Sequence, residues 1–169
     1  MSTLKSHLSS LTKDQLVNHI QELYKKYPQV KEYYDFYLQP NETEMLEKYR
    51  KVIIDEFFPM RGEPKTRFSV AKKAISGFKA LGPSPKHLAD LMLTLPEAAT
   101  QFTCDYGDMW EQYYISAANN FKAALKYMQK EGLLDRFKNR IDKCVADASQ
   151  CGWGFGDDLN EIYYEYFNP

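Results

Sequence analysis

The sequence predicts an all-α protein, and three observations carry that reading. Apolar residues recur every three to four positions along nearly the whole chain. Helix-start and helix-stop residues punctuate those stripes at the expected places. No segment shows the period-two, β-branched alternation of a half-buried strand.

The elements follow in order. Thr12 with Gln15 forms a capping box ahead of Leu16, Ile20, Leu23, Tyr24 and Tyr27. Pro28 stops that helix and opens the next, which carries Val30, Tyr33, Tyr34 and Tyr37 on its apolar side until Gln39-Pro40 closes it. Asn41 and Glu44 form a second capping box before Met45, Leu46, Tyr49, Val52, Ile53 and Phe57. Residues 59–66 (PMRGEPKT) are a turn-rich connector. Phe68, Ala71, Ala74, Ile75, Phe78 and Leu81 then mark the clearest amphipathic stripe, ended by Gly82-Pro83. Ser84-Pro85 caps a helix with Leu88, Leu91, Met92 and Leu95, and Pro96 kinks or restarts it through Phe102. Asp108 is expected to cap one long helix reaching Glu131. Leu134, Phe137, Ile141 and Val145 define the next helix, and Asp157 is expected to cap the last, with Leu159, Ile162, Tyr163 and Tyr166 on one side.

An internal echo bears on architecture. Gly77-Phe78-Lys79-Ala80-Leu81 resembles Asn120-Phe121-Lys122-Ala123-Ala124-Leu125, with the phenylalanines 43 residues apart. That separation lies within the ~40–47 residue period of helical-hairpin repeats, which bury their faces by stacking on neighbours. Each phenylalanine is expected in the first helix of an αα-hairpin. Two arrangements satisfy the pattern: hairpins stacked as a short HEAT-like solenoid, or an irregular helical bundle. At 169 residues the chain is expected to form one domain, residues 1–169, with a candidate subdivision at 59–66.

The opening Leu11-Thr12-Lys13-Asp14-Gln15-Leu16 and the segment Val30-Lys31-Glu32-Tyr33-Tyr34-Asp35-Phe36-Tyr37-Leu38-Gln39-Pro40-Asn41-Glu42 resemble a bacterial family of about this length, known as a domain of unknown function (number 6155). The resemblance implies an all-helical fold and a bacterial, cytoplasmic origin. It brings no catalytic residues with it.

Composition narrows the function classes. Aromatic residues make up 15% of the chain, too many for a disordered one. No stretch approaches the ~18 uninterrupted apolar residues of a membrane span, and residues 1–10 lack the apolar core of a signal peptide. Cys104, Cys144 and Cys151 fall outside any CxxC pair, so a cytoplasmic protein in the thiol state is expected, with Cys144 and Cys151 buried as structural thiols.

Catalytic, cofactor and metal signatures are missing. His7, His19 and His87 stand alone, without HExxH spacing. Asp108 with Glu111, and Glu161 with Glu165, share helix faces but have no nearby histidine, so helix capping and solvated faces account for them. Gly152-Trp153-Gly154-Phe155-Gly156 fits neither nucleotide-binding glycine pattern, and Asp157 and Asp158 would sit where a phosphate should. It reads as a hinge seating Trp153 and Phe155 on the core.

Two surface features carry the functional expectation. The first is an excess of aromatic side chains around single helices: Tyr33, Tyr34, Phe36 and Tyr37, then Tyr113, then Tyr163 and Tyr164. Consecutive helical positions point about 100° apart, so each cluster should leave one flank exposed for a protein partner, either a second copy or another chain. The second is charge. Residues 61–90 hold seven Lys/Arg against two Asp/Glu, and residues 131–169 hold four against eight. Lys65, Arg67, Lys72, Lys73 and Lys79 line a polar helix face that could contact phosphates. The expected function is a non-enzymatic interaction or scaffold module using aromatic helix faces and a concave groove, without cofactor or membrane. Weak nucleic-acid binding through the Lys65–Lys79 face is the alternative.

Overall fold

A computed structural model of the chain describes residues 3–167. Those residues form helices α1 (Thr3–Ser10), α2 (Lys13–Lys26), α3 (Pro28–Leu38), α4 (Glu42–Phe57), α5 (Phe68–Ala80), α6 (Pro85–Tyr106), α7 (Glu111–Lys130), α8 (Leu134–Ala148) and α9 (Phe155–Phe167). No strand occurs among the described residues, so the predicted all-α class holds. The chain divides into two compact units, one ending at Asn41 and the other starting at Glu42.

The first unit holds α1 to α3. The capping box forms as expected: Thr12 Oγ1 accepts from Gln15 N–H at 3.2 Å, and Gln15 Oε1 accepts from Thr12 N–H at 2.8 Å. Pro28 occupies the first turn of α3, where its missing N–H costs nothing. Helices α2 and α3 pack on one another, tied by Tyr24 O–H donating to Asp35 Oδ1 at 2.5 Å. The apolar side of α3 is rotated from the expected one. Phe36 is its buried side chain, whereas Tyr33 and Tyr37 face solvent. Those two rings stack at 6.3 Å, one turn apart.

The second unit is built from consecutive pairs. Helix α5 packs chiefly on α4, α7 chiefly on α6, and α8 on α9; α4, α6 and α8 also touch in sequence to form one row, and α7 touches α9 in the other. The edge-to-face contact of Phe68 with Tyr113, at 5.1 Å, joins α5 to α7. Phe78 and Phe121 therefore occupy the second helix of their pairs, not the first. Each is fully buried. Fully buried in this unit are Ile53, Phe57, Leu91, Leu95, Leu125, Met128, Ile141, Phe155 and Leu159. At about 25 cal/mol per Å² of apolar surface removed from water, these side chains dominate the stabilisation.

The connector at 59–66 belongs to this unit and is tied down at its end. Glu56 O accepts from Lys65 N–H at 3.0 Å and from Thr66 N–H at 2.8 Å. The Glu56 carboxylate, itself buried, accepts from Arg67 Nε at 2.9 Å and Nη2 at 2.7 Å. The boundary between the compact units falls earlier, at Asn41.

Two expected caps are used differently. Gly107, at φ 93°, ends α6, and three further non-helical residues turn the chain before α7 starts at Glu111. Asp108 is thus too early to cap α7; its carboxylate accepts from Tyr114 O–H at 2.8 Å and from Gly152 N–H at 3.1 Å instead. Helix α9 starts at Phe155, which places Asp157 and Asp158 inside its first turn, still at the positive end of the helix dipole. Phe155 is fully buried as expected. Trp153 is not: its φ of 58° turns the chain and leaves the indole 64% exposed.

Candidate functional site

The row formed by α4, α6 and α8 carries one of the concavities of the second unit. It is a groove of about 330 Å³. Its floor is apolar, from Ile54 on α4, Phe58 just past the end of α4, Ala98 on α6 and Cys144 on α8. Its walls are charged, from Arg50 on α4, Glu97 on α6 and Arg140, Lys143 and Asp147 on α8.

Helical spacing explains why these residues converge. On α6, Asp90, Thr94, Glu97 and Gln101 fall at steps of four, three and four, one continuous stripe. On α8, Arg140, Lys143, Cys144 and Asp147, at steps of three, one and three, also share one face. Arg50 and Ile54, four apart on α4, and Phe58, just past its end, complete the set.

The charges are arranged as a chain of ion pairs. Arg140 grips Glu97 with two parallel bonds, Nε to Oε1 at 2.8 Å and Nη2 to Oε2 at 2.6 Å. Its Nη1 donates to Asp90 Oδ1 at 2.5 Å, and the same oxygen lies 3.0 Å from Arg50 Nη2. Burial alone would lower the Arg140 pKa, but the bonds to Glu97 and Asp90 outweigh it and hold the guanidinium charged well beyond its usual range. Arg50 Nε is buried without a hydrogen-bond partner. Lys143 pairs with Asp147 on its own helix.

Burial pushes the Cys144 thiol up to about 12, so it is not a thiolate near neutral pH. Its nearest polar partner is Thr100 Oγ1, at 3.6 Å. Among the described residues no group of His, Cys, Asp and Glu converges as a metal site.

A second cluster sits at the start of α6. Ser84 Oγ donates to Glu42 Oε2 at 2.5 Å, His87 Nδ1 bonds the same oxygen, and Ser84 Oγ lies 2.9 Å from His87 Nδ1. Serine and carboxylate both meet Nδ1, so the imidazole cannot relay a proton between them through its two nitrogens, as a nucleophilic triad requires. Burial would raise the Glu42 carboxyl, yet the bonds from Ser84 and His87 together hold it below the usual range. The cluster fastens the start of α4 to the start of α6.

The aromatic residues expected at an interface divide by exposure. Tyr33, Tyr37 and Tyr164 are exposed, and Tyr34 and Tyr163 half-buried. Phe36 and Tyr113 are corrections. Phe36 is buried, and Tyr113 is 1% exposed with its hydroxyl donating to Ala99 O at 2.8 Å. Tyr113 lies on the inward face of α7, against Phe57, Phe68 and Phe102. Tyr163 is held by Lys138 Nζ, 2.9 Å from its hydroxyl, which also pairs with Asp142.

Of the five basic residues expected to contact phosphate, Lys72, Lys73 and Lys79 are exposed on α5, and Lys65 just before it. The Arg67 guanidinium is committed to Glu56. Within the second unit, Lys65, Lys72, Lys73, Lys79, Tyr163 and Tyr164 lie outside the lining of the α4–α6–α8 groove. The groove residues were visible in the sequence only as polar helix stripes, which look like any solvated face until a neighbouring helix is placed against them.

No helix among the described residues is long and apolar enough to cross a membrane. No curated protein and no solved structure matches the chain. A family model does match, over residues 1–168, and by that match the chain belongs to the Family of unknown function (DUF6155).

Proposed function

We propose that the protein is a non-enzymatic interaction module that receives a segment of a partner polypeptide in the groove across α4, α6 and α8. The observation that carries this reading is the lining itself, an apolar floor between fixed, mutually paired charges. A peptide can place an apolar side chain on Phe58, Ile54 and Ala98. Its own acidic and basic groups can share the Arg50, Arg140 and Glu97 pairs without leaving a charge uncompensated. We also infer that α4/α5, α6/α7 and α8/α9 are stacked hairpins of a short solenoid. The 43-residue spacing of Phe78 and Phe121, both on second helices, supports this. The three free thiols fit a reducing, cytoplasmic setting.

The test is capture with the tagged full chain at low and moderate salt, comparing wild type with Gln101→Arg/Lys143→Glu and with Lys72→Glu/Lys73→Glu. Both pairs change exposed side chains, so the fold should stand. A defined protein retained by wild type and by the α5 variant, and lost by the groove variant, supports the reading. Capture indifferent to the groove substitutions overturns it.

A second reading rests on Lys65, Lys72, Lys73 and Lys79, which are exposed and form no ion pair among the described residues. A nucleic acid bound there would be released by salt and lost in the Lys72→Glu/Lys73→Glu variant, with the groove variant unaffected.

A further inference from the structure

Cys104 lies near the end of α6, and Cys151 lies three residues past the end of α8. Their Sγ atoms are 3.6 Å apart. Both thiols point at one acceptor, Asp147 O, at 3.5 Å from Cys104 Sγ and 3.7 Å from Cys151 Sγ. Cys104 is exposed, Cys151 half-buried, and Cys144 buried.

We infer that Cys104 and Cys151 are a peroxide-oxidisable pair, closing a reversible disulfide between α6 and the turn after α8.

A disulfide needs its sulfurs about 2.05 Å apart, so the gap must close by about 1.5 Å. The turn can supply that movement. Cys151 is outside the helical hydrogen-bond ladder, and Gly152 and Gly154 flank the left-handed residue Trp153 just after it. Cys104 is fixed on the rigid α6 and need only rotate its side chain.

Environment assigns the roles. Cys104 is open to solvent and has the Lys143 ammonium in its neighbourhood, so it meets the oxidant first. Burial and the adjacent Cys104 push Cys151 up to about 12, so it is held as a thiol and is not the sulfur that meets the oxidant first. In the first step the Cys104 thiolate attacks one oxygen of hydrogen peroxide. The O–O bond breaks, giving a sulfenic acid and hydroxide. In the second, Cys151 Sγ attacks Cys104 Sγ, expels the sulfenic oxygen as hydroxide and gives up its own proton, which leaves with that hydroxide as water. Two thiols and one peroxide become one disulfide and two waters, and a dithiol reverses the reaction by exchange.

The link would clamp α6 to the end of α8 beside Asp147, at the rim of the groove. It would narrow the freedom of the two helices that form two of its three sides.

The test treats the reduced full-length chain with hydrogen peroxide, then unfolds it and labels free thiols with a mass-adding maleimide. The reduced chain takes three labels. The oxidised chain is expected to take one, on Cys144, with peptide mapping showing Cys104 joined to Cys151 and dithiothreitol restoring three. Cys151→Ser should stop at a sulfenic acid on Cys104, trapped by dimedone. Three labels persisting after peroxide overturn the inference. So does a bond to Cys144 or between chains, or wild-type Cys104 passing on to sulfinic acid.

Discussion

Arg140 and Glu97 meet across α8 and α6 in a two-pronged ion pair, Nε to Oε1 at 2.8 Å and Nη2 to Oε2 at 2.6 Å. A guanidinium presents two parallel donors to a carboxylate, and an ammonium cannot. Arg140→Lys is therefore expected to keep the charge and lose the geometry. Because the Arg140 side chain is 35% exposed, solvent screens part of the pair, and the cost should be about 1–2 kcal/mol. Urea midpoints of Arg140→Lys, Glu97→Gln and the double variant would show it. The double variant should cost less than the sum of the singles, because the second substitution removes a partner already lost. Strict additivity would mean that the pair contributes nothing.

Glu56 adds a pH dependence. The bonds from Arg67 hold its carboxyl below the ordinary value, against the opposing effect of burial. A carboxyl depressed in the folded state contributes stability that is fully present above its unfolded pKa, about 4.3. That contribution fades as pH falls through the lower, folded value. Wild type should thus exceed Glu56→Gln by about 1–2 kcal/mol at neutral pH, a figure discounted because Arg67 is half-exposed. The difference should shrink as acid titrations pass below pH ~4. Parallel thermal melts from pH 7 to 3 read it directly, and a gap that widens in acid would contradict the assignment.

Helix existence was legible in the sequence because it depends on local spacing. Thr12 and Gln15 form the box that their separation of three announces, and Pro28 and Pro85 stand at first-turn positions as their fixed φ favours. What local spacing does not encode is which helix meets which face. The stripe of Tyr33 and Tyr37 looks as apolar as that of Phe36, yet Phe36 is the buried ring. Likewise Asp108 has the chemistry of a cap. Its use was decided by Gly152, 44 residues away in sequence. The groove was hidden for the same reason, since Arg140 finds Glu97 and Asp90 only once α8 is laid beside α6.

Tyr113 separates the two roles of a tyrosine. Its ring packs edge-to-face on Phe68 and Phe57, and its hydroxyl donates to Ala99 O. Tyr113→Phe keeps the ring and leaves one buried carbonyl without this donor, an expected loss of about 1 kcal/mol. Tyr113→Ala also empties the space between α5, α6 and α7, and should cost about 3–5 kcal/mol. Burial raises the phenol pKa far above its normal value. Its ultraviolet ionisation signal should therefore appear only with alkaline unfolding. A Tyr113→Ala variant as stable as wild type would remove it from the core.

The turn from α8 into α9 offers a contrast between two glycines. A Cβ on Gly156 would stand 2.7 Å from Ser149 Cα and 3.1 Å from Ala148 O, both backbone atoms that cannot rotate away. Gly156→Ala must push the start of α9 off the end of α8, and an overpacking cost of about 2–3 kcal/mol is expected. The three atoms nearest a Cβ on Gly152 would all belong to the Asp108 carboxylate, the closest at 2.5 Å, and a side chain can swing aside. The cost there is the loss of the Asp108 bonds to Gly152 N–H and Tyr114 O–H, about 1 kcal/mol. In an Asp108→Ala background that loss has already been taken, so Gly152→Ala should add little, whereas Gly156→Ala should cost as much as before. Guanidinium unfolding of the four variants decides it: equal penalties for Gly152→Ala in both backgrounds would show that Asp108 is not what Gly152 makes room for.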